Sequence, residues 1–221
     1  MNILVLAGGL SPERDVSLSS ASRIARALIA KGNRVAVLDL YGGIDSVKEL
    51  CFTDCFDEVK EYTVSEKVPD IIKPSDIESY IGKNILECCK TADIVFLALH
   101  GDIGENGKLQ AVLDLHKIKY TGSDYTGCLL SMDKNLAKVL VSASHIKTAK
   151  WCINEMDASI NFPCVVKPLS AGSSIGISMV NNSEEYKTAV YEAKKYDNDI
   201  MIEEKICGRE FSVGILNDKA L

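Results

Sequence analysis

The hydrophobic positions of the chain fall into two patterns. Residues 2–7 form one continuous apolar run that ends at Gly8-Gly9, as a strand buried on both faces does. Val16, Leu18, Ala21, Ile24, Ala25, Leu28 and Ile29 then recur at helical spacing, and Gly32 closes the pattern. Arg34 to Leu40 reads as a second strand, so the β-helix-β order with short links predicts a right-handed parallel unit. Asp93 to Leu99 is a third buried strand, and Glu105 to Lys117 a helix with Leu109, Val112, Leu113 and Ile118 on its apolar side. Residues 1–122 therefore read as a small doubly wound α/β domain. Within it, residues 42–90 carry two charged segments with Pro69 and Pro74, and predict an irregular excursion followed by a helix over roughly 76–90.

From Ser131 the pattern changes. Met132-Asp133-Lys134 opens a helix that runs to about Ala143. Strands follow at 163–168 and 175–180, a helix at 183–196, and strands at 199–204 and 209–216. Strands mixed with a helix, without strict alternation, predict an α+β second domain over residues 123–221. Asn217-Asp218 is a turn signal with three residues after it, which leaves the last strand an edge without its partner. The expectation is a chain cut short at its C-terminal end.

Composition narrows the class. The 221 residues are 47% hydrophobic and 25% charged, enough for a packed core and unlike a disordered chain. Thirty-one acidic side chains against 25 basic ones give a net charge of −6, which argues against a nucleic-acid surface. The apolar N-terminal run is short and follows no basic segment, so it is not a signal peptide, and no run approaches the ~18 apolar residues of a membrane span. Eight cysteines in a chain of this size without a secretion signal suggest reduced thiols and a cytoplasmic location. Cys51, Cys55, Cys88 and Cys89 lack a CxxC pattern and read as packing or surface thiols rather than metal ligands.

Four segments carry chemistry. Val165-Val166-Lys167-Pro168 delivers a lysine through apolar, constrained chain into the small-residue loop Ser170 to Gly176. Lys167 reads either as a surface lysine at a strand end, as lysines usually are, or, given its apolar and constrained surroundings, as one that needs an anion. The loop's backbone N–H groups beside that ammonium suit a polyphosphate, although the loop also reads as a plain hairpin turn and is not a Walker P-loop. Ile200 to Lys205, with Gly208-Arg209-Glu210, is either a strand with solvated ends or the wall of a nucleotide pocket, where carboxylates accept from an adenine amino group and ribose hydroxyls. Gly8 to Ser20 places Glu13 where a strand gives way to a helix, at the carboxyl edge of a parallel sheet. Glu13 there either complements the helix N-terminus or binds a substrate ammonium. His100 follows an apolar strand, where a lone histidine is more often structural, but it precedes three glycines within seven residues, at the same edge; His116 and His145 have no such setting.

These segments, in this order, resemble the D-alanine–D-alanine ligase family of the ATP-grasp superfamily. The marks are GGLSPERDVSL, ALHGDIGENGKLQ, YTGSDYTGCLLSMDK, VVKPLSAGSSIGI and IEEKICGREFSVGIL, spread through most of the chain. The resemblance implies an N-terminal substrate-binding α/β domain and an incomplete ATP-grasp domain. It implies that Glu13 binds the ammonium of the first D-alanine, that Ser173 holds Glu13 in position, and that His100 lies beside that substrate. Lys134 and Lys167 would bind ATP phosphates, and Ser174 with the backbone of Gly172, Ile175 and Gly176 would cover them. Met201 would line the adenine slot, Glu203 would accept from the adenine amino group, and Glu210 would hold the ribose.

The implied reaction joins two D-alanines for peptidoglycan precursor synthesis. The first carboxylate attacks the γ-phosphorus of ATP, and the second amine attacks the resulting acylphosphate. The Mg²⁺ (or Mn²⁺) ligands, a catalytic arginine and a closing loop come, in the family, from later segments than Leu221, so these 221 residues alone are expected to be inactive. A cytoplasmic homodimer is also implied. Lys119, Ala171 and Asn106 depart from the residues common at their positions without disturbing the motifs around them. Ligation of D-alanine to D-lactate or D-serine, or a non-catalytic nucleotide-binding remnant, are the competing readings.

Overall fold

The computed structural model describes residues 1–64, 80–170, 172, 174–216 and 218–221. The chain separates into two compact units, Met1–Ala137 and Lys138–Leu221.

The first unit is organised by β1 (Asn2–Ala7), whose Leu4, Val5, Leu6 and Ala7 are fully buried. It lies between β2 (Arg34–Asp39) and β3 (Ile94–Leu97) and pairs in parallel with both. Side chains alternate across a strand, so β1 feeds two cores. Leu4 and Leu6 pack with Leu40 and with residues of α2 (Ile85–Thr91) and α3 (Lys108–Leu115). Val5 and Ala7 pack on the other face with Leu18, Ala21, Ala25 and Ile29 of α1 (Arg14–Ala30). Helices on both faces of a parallel sheet are the doubly wound arrangement that the continuous apolar run predicts. Gly32, at φ 79°, turns the chain out of α1 as expected, its N–H donating to the Ile29 carbonyl at 2.8 Å.

Several elements are shorter than the sequence pattern. The helix expected over 76–90 is Ile85–Thr91, entered through Asn84 at φ 60°; residues 76–79, Pro69 and Pro74 lie outside the described residues. Asn84 donates to the carbonyls of Ile44 (3.0 Å) and Asp45 (2.9 Å), tying the irregular excursion to the helix start. α3 begins only after a one-turn 3₁₀ helix at Asp102–Gly104 and Gly107 at φ 87°. Two further helices follow, α4 (Tyr125–Met132) and α5 (Lys134–Ala143), with the boundary between units inside α5.

The second unit is a four-stranded antiparallel sheet in the order β4-β7-β5-β6, formed by β4 (Trp151–Ile153), β5 (Cys164–Pro168), β6 (Ser178–Val180) and β7 (Ile200–Glu204). α6 (Ser183–Ala193) covers one face, its Ala189 and Ala193 packing with Cys164, Val166, Val180, Ile200 and Ile202. Asn182 caps that helix, its side chain accepting from the N–H groups of Glu184 and Glu185 at 3.0 Å each.

The strand expected over 209–216 is reduced to β8 (Ile215–Leu216), paired with β9 (Lys219–Ala220); Asn217 lies outside the described residues. Phe211 and Val213 continue the alternation that ends at Ile215, yet both are exposed, and among the described residues neither lies in a paired strand. All eight cysteines are free thiols. Cys88 and Cys89 are buried in the first core, and burial pushes the Cys89 thiol up to about 12, which fits packing rather than reactivity. Among the described residues, no helix is long and apolar enough to cross a membrane.

Leu4→Ala removes a fully buried side chain from the shared strand and is expected to cost about 2–5 kcal/mol, read as a fall in the urea midpoint.

Candidate functional site

Two constellations arise, one in each unit. In the first unit, the carboxyl end of β1 is shaped by polar side chains that take up its backbone groups. Gly8 N–H donates to Ser17 Oγ at 2.8 Å, and Ser17 Oγ donates to the Ala98 carbonyl at 2.7 Å. One buried hydroxyl thus joins the ends of β1 and β3 to α1. Gly9 N–H donates to Asp39 Oδ1 at 3.0 Å, and Arg14 pairs with Asp39 while also donating to the Gly9 carbonyl at 3.2 Å. Burial works to raise the Asp39 carboxyl, but the Arg14 hydrogen bond and the Gly9 and Tyr41 N–H groups outweigh it and hold it below its ordinary value.

Gly8 and Gly9 sit at φ 70° and 79°, and a Cβ on Gly8 would come within 2.5 Å of Asp39 Oδ1. The turn therefore requires glycine. Glu13 sits at the start of α1, half-buried, with its N–H on Ser11 Oγ at 3.1 Å. Gly101, at φ 68°, is packed against this loop: a Cβ there would lie 3.0 Å from Ser11 Oγ and 3.3 Å from Glu13 Oε2. The Glu13 and His100 segments, some ninety residues apart in sequence, thus meet at one sheet edge.

In the second unit, strand alternation puts Lys167 of β5 with Met201 and Glu203 of β7 on the face away from α6; Lys167 stands opposite Met201, and Trp151 of β4 opposite Glu203. Lys167 Nζ pairs with Glu203 Oε1, and Lys138 Nζ lies 3.0 Å from Glu203 Oε2. The three side chains are only 12–17% exposed. Burial works to raise the Glu203 carboxyl; hydrogen bonds from Lys167 and Lys138 win and hold it below the usual carboxylate range. The anion that Lys167 calls for in the sequence is, in the structure, Glu203.

The strand carrying Lys167 runs straight into the small-residue loop. There Leu169 N–H donates to the Asp199 carbonyl (3.0 Å) and Ser170 N–H to Asp197 Oδ2 (2.8 Å), fixing the loop's base. Ser174 and Gly176 have φ of 60° and 71°. The N–H groups of Ile175 and Ile177 close turns onto Gly172 and Ser174 (3.1 and 3.4 Å), so β6 starts at Ser178 rather than near 175 and the loop spends two of its donors on itself.

The remaining candidates divide. Lys134 opens α5 in the first unit. Ser173 and Ala171 lie outside the described residues. Met201 is fully buried, and Glu210 is exposed in chain without regular structure. His116 and His145 are exposed, consistent with their plain sequence setting. Among the described residues, no three or more His, Cys, Asp or Glu side chains gather in one place. The residues missed from sequence are Lys138, Ser17, Arg14 and Asp39. Lys138 had a signal: it stands one helical turn beyond Lys134, on the same side of α5.

Comparison with known proteins agrees along the whole chain. The family models described as D-ala D-ala ligase N-terminus and D-ala D-ala ligase C-terminus match residues 2–123 and 134–221. A D-alanine–D-alanine ligase from Pediococcus pentosaceus is 41% identical, the match taking in 100% of this chain and 67% of that protein. One from Lacticaseibacillus casei is 39% identical over 100% of this chain and 65% of its own length. The chain thus spans about two thirds of the curated relatives it matches. Among solved structures, a D-alanine–D-alanine ligase from Bacillus anthracis gives a TM-score of 0.71 at 25% identity, over 94% of this chain and 58% of that one. The VanG D-Ala:D-Ser ligase from Enterococcus faecalis gives 0.67 at 28% identity, over 94% and 63%.

Glu203 and Asp39 both have folded-state values below their unfolded ones, so each contributes stability that is present above the unfolded value and lost as pH falls through the folded one. Urea midpoints should therefore drop as pH is lowered below about 4, and Glu203→Gln should flatten part of that drop. Gly8→Ala forces a left-handed alanine against Asp39 and should cost at least about 2 kcal/mol in the same assay.

Proposed function

The chain belongs to the D-alanine–D-alanine ligase family, and from that premise we propose that its residues form the first-substrate and nucleotide sites of an ATP-dependent ligase joining two D-alanines. Residues 1–122 are the substrate-binding domain, and residues 123–221 begin the ATP-grasp domain.

In this reading Glu13, held at the sheet edge against Gly101, takes the ammonium of the first D-alanine, with His100 beside it and Ser173 steadying Glu13. A carboxylate suits that task, since it accepts from an ammonium and repels the substrate's own carboxylate. Lys134 and Lys167 bind phosphates, with Gly172, Ser174, Ile175 and Gly176 over them. Glu203 accepts from the adenine amino group, Glu210 from the ribose hydroxyls, and Met201 lies beneath the base.

ATP supplies the phosphoryl group that turns a carboxylate into an acylphosphate, which a second amine can attack. The protein's share is to position the reactants, neutralise charge and keep water away from that labile species. The observation that carries the reading is the convergence of Lys167 and Lys138 on Glu203, beside the small-residue loop. The set fits a nucleotide: an ammonium, Lys167, for phosphate and a carboxylate, Glu203, for an amino group.

The similarity to a D-Ala:D-Ser ligase keeps a sibling reading open, in which D-serine or D-lactate is the second substrate. A cytoplasmic location and a homodimer rest on the resemblance.

Titration calorimetry with ATP tests the site. Lys167→Ala should weaken binding roughly tenfold to a hundredfold, as losing a charge-assisted hydrogen bond of about 1.5–3 kcal/mol requires. Unchanged affinity would overturn the role of Lys167. These 221 residues alone should not ligate; steady D-alanine-dependent phosphate release from the purified chain would refute that.

A further inference from the structure

We propose that Lys138 is the positioning residue of the nucleotide site: it is the permanent counterion that keeps the Glu203 carboxylate in place, so that Lys167 is free to leave Glu203 for a phosphate. The proposal rests on the nucleotide reading above and assigns a residue that neither the sequence motifs nor the resemblance singles out.

The two lysines on Glu203 are held differently. Lys138 Nζ lies 3.0 Å from Glu203 Oε2 and donates to Thr148 Oγ1 at 2.9 Å. It also stands over the Trp151 ring, 5.2 Å from its centroid. An ammonium has three N–H donors, and here a carboxylate, a hydroxyl and an aromatic face surround it. Trp151 is the residue paired with Glu203 across β4 and β7, so cation, ring and carboxylate are fixed by one rung of the sheet. Lys138 is also the least exposed of the three side chains, at 12%. Lys167, by contrast, reaches Glu203 from the penultimate position of β5, where the chain enters the small-residue loop.

Burial decides what such an arrangement can do. Glu203 is 15% exposed, and a carboxylate so placed cannot lose every cation without a large penalty. With Lys167 alone, drawing that lysine to a phosphate would strand the carboxylate, and the two roles would compete. With Lys138 in place, Lys167 can move while Glu203 stays charged and oriented. Oε1 is then released to accept from an amino group on the base. Lys138 touches neither base nor phosphate in this scheme; it acts through Glu203.

The test compares ATP with purine riboside 5′-triphosphate, which lacks the 6-amino group, by calorimetry on the chain and its variants. The unsubstituted chain should prefer ATP by about tenfold or more, the worth of a hydrogen bond to a charged acceptor. Lys138→Met should shrink that preference to within about threefold while weakening the analogue much less than ATP. Lys138→Arg should restore most of the preference. Thr148→Val, which removes only a neighbour of the ammonium, should reduce the preference in a protein that keeps its fold, and covers the case in which Lys138→Met does not fold.

An unchanged preference in Lys138→Met, equal losses for both nucleotides, or failure of Thr148→Val to alter the ratio would overturn the assignment alone. If the unsubstituted chain binds neither nucleotide, the nucleotide reading falls first and the assignment with it.

Discussion

A carboxylate that is mostly out of water stays ionised only if cations reach it, and in the second unit that requirement sets the arrangement around Glu203. The alternation of β7 sends Ile200 and Ile202 into the core under α6 and Met201 and Glu203 to the other face. The antiparallel register of β5 against β7 brings Lys167 to that same face. α5 supplies Lys138. None of these elements needs the ion pair to form, since each has apolar or backbone reasons of its own. The pair nevertheless fixes how they fit, because removing one partner of a buried pair costs far more than the pair is worth intact.

The first unit meets a related problem with neutral groups. Parallel strands end in a row of backbone N–H and carbonyl groups at the carboxyl edge, and the turns leaving them must satisfy those groups or leave them to a ligand. Ser17, Asp39 and Arg14 take the groups of Gly8, Gly9 and Ala98. The edge is thus rigid where Glu13 begins α1 and Gly101 closes against it. An edge tied down in this way suits the small amino acid proposed for it, because such a ligand brings little surface of its own to offset the cost of ordering a loop.

How far the sequence foretold this follows from length scale. Elements with many repeats of one period were legible: the apolar run of β1, the helical spacing of α1, the capped α6. Short elements were not. β4 has three residues, too few for alternation to show, and is held by β7. α4 buries none of its side chains, and its sequence, YTGCLLSM, has no apolar stripe; its one sequence signal is Asp124, whose side chain accepts from Gly127 N–H. The strand expected over 209–216 shows the opposite: its alternation is present, but among the described residues only Ile215–Leu216 is paired, with β9. At the candidate sites, the glycine turns and the enclosed Lys167 were legible because glycines, a proline and a lysine in apolar chain are visible locally. Lys138, Ser17 and Asp39 act across 9 to 81 positions of sequence, and nothing local marks such contacts.

The charge balance of the second site gives its motifs a common logic. Two ammoniums facing one carboxylate leave one positive charge in surplus. While Lys167 rests on Glu203, that surplus is held against a carboxylate that the two lysines share, one on each oxygen. In the scheme proposed above it becomes usable when Lys167 turns away, because the Lys138–Glu203 pair that remains is neutral and mutually compensated. The same scheme delivers a full positive charge beside a loop whose base is tied down by Asp197 and Asp199. The loop contributes less than its glycine and serine content suggests, because Ile175 and Ile177 have already spent their N–H groups on its own turns. In the scheme proposed, Lys167 therefore carries most of the burden of meeting an anion. In this chain the small residues serve chiefly to let the backbone turn at Ser174 and Gly176, where a Cβ on Gly176 would strike Pro168 and Tyr196 at under 3 Å.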